Sequence, residues 1–75
     1  MKRIKGYVVS YEYDWYEMVF TNEVDCNEMA LAIYEEKVYD VWSYFLNWYD
    51  EDNLREAMRV VHANMFTYET TIVEG

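Results

Sequence analysis

Between Asp25 and Tyr49 apolar side chains recur at Leu31, Tyr34, Val38, Val41, Phe45 and Trp48. Intervals of three and four keep such side chains on one stripe of an α-helix, and no other stretch constrains the fold as tightly. Glu28, Glu35, Glu36 and Asp40 fall on other faces, with Lys37 the one base in the segment. The stripe needs a cover, which a second helix and a small sheet are expected to supply. It also predicts that Phe45 and Trp48 are buried. Asp25 is the expected N-cap, with Glu28 three residues on reaching back to it. The aromatic and β-branched residues of the later part make a bend near Ser43 the expected weak point.

Either side of this segment the pattern changes. From Ile4 to Tyr13 the sequence alternates, with Tyr7, Val9, Tyr11 and Tyr13 on one parity, as in a strand with one buried face. A second apolar run spans Tyr16 to Phe20. Asp14 and Trp15 are placed to reverse the chain between them, so a hairpin is preferred over one long bent strand. Asp50-Glu51-Asp52-Asn53 interrupts the apolar pattern, and Asn53 with Glu56 repeats the cap spacing. A second helix is expected from there to about Asn64, with Leu54, Ala57, Met58, Val61 and Met65 as its apolar stripe. The two helices form either an antiparallel pair or one helix kinked at the acidic cluster. Phe66 to Val73 alternates again. The expected fold is α+β: a small three-stranded antiparallel sheet packed against two helices, in the order ββααβ, as a single domain over 1–75.

Charge narrows the function. The formal net charge is −9, and Lys2, Arg3 and Lys5 are half of the bases. From Gly6 to Leu54 there are twelve acids and the single base Lys37. Such a field repels nucleic acid and anionic lipid and attracts basic protein surfaces. No direct nucleic-acid contact and no membrane contact are therefore expected. Fifteen aromatic residues give a chain near the lower size limit for folding enough apolar area to do so. The single cysteine, Cys26, excludes an internal disulfide and fits a reducing, cytoplasmic setting. No apolar run resembles a signal peptide or a membrane span.

Catalytic signatures are missing. The Asp50–Asp52 cluster lacks the central Gly and the alternate ligand positions of a calcium loop, and a helix cap explains it more simply. His62 is the only histidine, and no third group is placed to orient a Cys26–His62 pair. There is no phosphate-cradling glycine loop. The chain reads as a non-enzyme without cofactor or metal.

What remains is the acidic face. Glu36 and Asp40 are four apart, about 6 Å along a helix axis, a step similar to the separation of successive phosphates along a DNA strand, whose axial rise is ~3.4 Å per nucleotide. Together with Glu28, Glu35, Asp50, Glu51 and Asp52, and with Tyr39 adding contact area, these acids are the candidate partner-binding residues. In size, acidity and aromatic content the chain resembles phage-encoded inhibitors that act as DNA mimics against CRISPR effectors or restriction enzymes. The resemblance is to a type of protein and rests on no shared motif. It implies a basic, nucleic-acid-binding host protein as partner, whose groove the acids would occupy. The alternative is a small homo-oligomerising interaction module, such as a homodimer, with the surplus aromatics as its interface.

Overall fold

The computed structural model describes residues 1–12, 16–45 and 50–74. The order of elements is β1 (Lys2–Tyr11), β2 (Tyr16–Phe20), α1 (Glu23–Ser43), α2 (Glu51–Asn64) and β3 (Met65–Glu74). The strands form one antiparallel sheet in the order β2-β1-β3, so the expected ββααβ layout is the one observed. Tyr13, the Asp14–Trp15 reversal, Trp48 and Tyr49 lie outside the described residues.

Both outer strands pair with β1, but over different lengths. β2 covers Tyr7 to Tyr11, while β3 runs beside all ten residues of β1, from Lys2↔Glu74 to Tyr11↔Met65. Beyond Gly6 the sheet narrows to a two-stranded ribbon. Opposite charges support it: Lys5 Nζ lies 3.3 Å from Glu69 Oε2, and Lys2 faces Glu74 across the strands. This support extends β1 to Lys2, two residues before the start that alternation indicates.

Alternation sorts the sheet into two faces. Tyr7, Val9 and Tyr11 point to the helices, joined by Met18, Phe20 and Met65. Val9 is fully buried there, in a cluster with Cys26 and Ile33 of α1. A second cluster joins Tyr11 to Val38 of α1 and to Ala57 and Val61 of α2, with Tyr34, Trp42, Phe45 and Leu54 packed around it. Met65 touches both clusters. The first half of α1 therefore rests on the sheet and the second half on α2.

This change of partner corrects the single-stripe reading of α1. Cys26, Met29, Ala30 and Ile33 face the sheet, and Tyr34, Val38, Val41 and Trp42 meet α2. One straight stripe cannot serve two neighbours on different sides of a helix. Leu31, expected in the stripe, is 58% exposed. It continues the α2-facing line backwards, but it packs against neither core cluster. Phe45 is partly buried rather than enclosed. On α2, Met58 is 41% exposed while its stripe neighbours Ala57 and Val61 are buried.

Both helix starts also differ from expectation. Asn22 caps α1, its Oδ1 accepting from the amides of Val24 at 2.8 Å and Asp25 at 3.3 Å. Starting there brings Cys26 into a regular turn, through its amide bond to Asn22 O at 3.1 Å, and so into the core. α1 ends at Ser43, not at Tyr49. Asp50, not Asn53, caps α2, with Oδ1 accepting from Asp52 N at 2.8 Å. The helices are two separate elements.

Candidate protein-binding surface

The outward side of α1 carries the acids. Glu28, Glu35, Glu36 and Asp40 are all exposed, because the residues facing the sheet and α2 occupy the remaining arc of the helix. At about 100° per residue, Glu28 and Glu35 form one line and Glu36 and Asp40 a second, about 100° round the axis. Glu28 and Asp40 stand about 18 Å apart along the helix. Tyr39 is 52% exposed and projects between the two lines.

The second group of acids is fixed at the far end of α1. Trp42 Nε1 donates to the carbonyl of Asp50 at 3.2 Å, tying the start of α2 to the last turn of α1. Asp50, Glu51 and Asp52 are exposed. Part of their charge has local work: Asp50 caps, Glu51 and Asp52 lie at the positive end of the helix dipole, and Asp52 accepts from Arg55 Nη1 at 3.4 Å.

Four of the six bases are engaged. Lys5 pairs with Glu69, which raises its pKa through the hydrogen bond. Arg59 donates through both Nε and Nη2 to the Glu56 carboxylate and lowers the pKa of that group. Lys37 Nζ stands 5.7 Å from the centroid of the Tyr11 ring. Among the described residues, Glu28, Glu35, Glu36 and Asp40 have no ion-pair partner. The acidic surface of α1 is thus not neutralised from within.

Cys26 and His62 are not brought together. Cys26 is buried against Val9 and Ile33, and burial, aided by Glu23, pushes its thiol pKa up. That is the wrong direction for a nucleophile. His62 is exposed on α2.

One feature is not foreseen by the helix pattern. Tyr34, Val38, Tyr39, Trp42, Leu54 and Met58 line a cleft of about 300 Å³ between α1 and α2, with Glu35 its one charged member. The signal was present in Tyr39 and Met58, apolar residues placed at the margins of the buried stripes. Across family models, curated proteins and solved structures, nothing matches this chain. Fold and composition define a small acidic α+β protein. No helix among the described residues is long and apolar enough to cross a membrane.

Proposed function

We propose that this chain is a non-enzymatic inhibitor that occupies the nucleic-acid site of a basic host protein, in the manner of a phage DNA mimic of anti-CRISPR or anti-restriction type. One observation carries the reading: the acids of α1 are exposed and without ion-pair partners among the described residues, while Lys5, Lys37, Arg55 and Arg59 are each engaged elsewhere. A groove lined by Lys and Arg gains from such a surface what it gains from phosphates, release of counterions and charge-assisted hydrogen bonds. Tyr39, flanked by both acid lines, adds apolar area at low entropic cost. The cytoplasm is the compartment this role requires.

The test is competitive elution. The immobilised chain, exposed to a bacterial host lysate, is expected to retain basic nucleic-acid-binding proteins. Duplex DNA or RNA at constant ionic strength should release them. Retention of proteins that nucleic acid fails to elute would count against occupation of a nucleic-acid site.

A further inference from the structure

We propose that the sheet face turned away from the helices is the contact surface of a two-fold dimer of this chain. Helices cover one side of the sheet only. The other side presents Ile4, Val8, Val19, Phe66, Tyr68 and Ile72, as the strand registers require. Val19 is 55% exposed, Phe66 45% and Tyr68 47%.

Two details shape this face. The Tyr68 hydroxyl donates to Glu17 Oε2 at 2.8 Å. Because β1 lies between their strands, the ring is laid across β1, where Val8 is only 2% exposed. At Gly6 the missing side chain admits Ile72: a Cβ there would stand 2.8 Å from Ile72 Cγ1. Flat apolar sheet faces pack on one another about 10 Å apart.

Charge selects a second copy as the occupant. In a chain of net charge −9, the charged residues of this face are Lys2, Glu17 and Glu74. Two copies meeting there keep their acidic helices on the far sides of the pair. In the cleft between α1 and α2, a second copy would set acids against acids.

The area agrees. The chain exposes 5653 Å², against about 4,900 Å² for a monomeric protein of its mass. Its radius of gyration is 15.2 Å, against about 11 Å for a compact domain of this length. The face is three strands wide only beside β2 and two strands wide beyond it, about 400 Å² in all. A pair therefore buries about 800 Å², the size of a weak, concentration-dependent contact. The proposal stands apart from the role of the acidic helix.

Sedimentation equilibrium between 1 and 300 μM, in about 0.15 M and 1 M salt, tests it. The mass should rise towards twice 9.2 kDa with concentration, and persist in high salt because the contact is apolar. Phe66→Lys and Val19→Lys, on different strands, should each remain at 9.2 kDa with unchanged circular dichroism. Met58→Lys, in the helix cleft, should still dimerise. A wild-type chain that stays monomeric throughout overturns the proposal. So does a dimer that survives both sheet-face substitutions, or one abolished by Met58→Lys alone.

Discussion

Tyr11→Ala is expected to lower the free energy of unfolding by about 3–5 kcal/mol, the cost of removing a large ring from a closed core. A 75-residue domain has about 4–11 kcal/mol to lose, so the variant should lose a large share of its stability and unfold at a much lower denaturant concentration. Tyr11 is 3% exposed and ends β1, facing Tyr16 and Met65 on the neighbouring strands. Within the described core it is the buried sheet residue that joins Val38, Ala57 and Val61 of the helices. Lys37 lies over its ring and would lose that support as well. Removing the ring leaves a cavity where sheet, α1 and α2 meet. Tyr11→Phe keeps the ring and should cost far less, which separates packing from the hydroxyl. Urea unfolding followed by circular dichroism provides the measurement. An unchanged midpoint for Tyr11→Ala would contradict this picture of the core.

The second large effect concerns binding. Glu36→Gln with Asp40→Asn is expected to slow association with the basic partner by about tenfold at low ionic strength, the lower end of what charge steering supplies. Folding should be unaffected or slightly improved. Both side chains are exposed, and the pair repels at i, i+4 by a few tenths of a kcal/mol. The deficit should shrink towards 1 M salt, where the Debye length falls to about 3 Å. Glu12→Gln with Glu74→Gln removes the same charge from exposed positions away from α1, and so controls for bulk acidity. Glu69 is unsuitable for that control, because it holds Lys5. Stopped-flow or surface-binding kinetics with a partner retained from the host lysate gives both rates. Equal slowing in the two double variants would point to net charge rather than to an array on the helix.

Much of the fold was legible because each element has its own period. Tyr7, Val9 and Tyr11 alternate in the sequence and do line one face of the sheet. The second helix ends at Asn64 as its pattern indicates. What misled was competition between equally spaced signals. Asn22 and Asp25 are three apart, as are Asp25 and Glu28, and either pair satisfies the local capping rule. Only the burial of Cys26 against the sheet selects the first. Asp50 prevailed over Asn53 in the same way, with Trp42 holding the Asp50 carbonyl.

Leu31 shows a second limit. Spacing tells which residues share a side of a helix but not which of them a neighbouring element covers, and Leu31 is left exposed. Val8 shows a third: alternation assigned it to the open face, where Tyr68 nevertheless covers it by reaching for Glu17. For the candidate surface, exposure of Glu28, Glu35, Glu36 and Asp40 was legible from their phase on the helix. The apolar cleft beside them was signalled only by Tyr39 and Met58, and it takes shape only where two helices meet.

On the proposed function, the acidic surface and nucleic acid compete for one site on the partner. Fluorescence anisotropy tests it most directly, with a labelled duplex bound to a purified partner and titrated with the chain at fixed ionic strength. Complete displacement of the duplex is expected, with an apparent affinity that weakens in proportion to the concentration of competing DNA, and no complex containing all three components. A duplex that stays bound while the chain binds beside it, giving a stable ternary complex, would contradict the account.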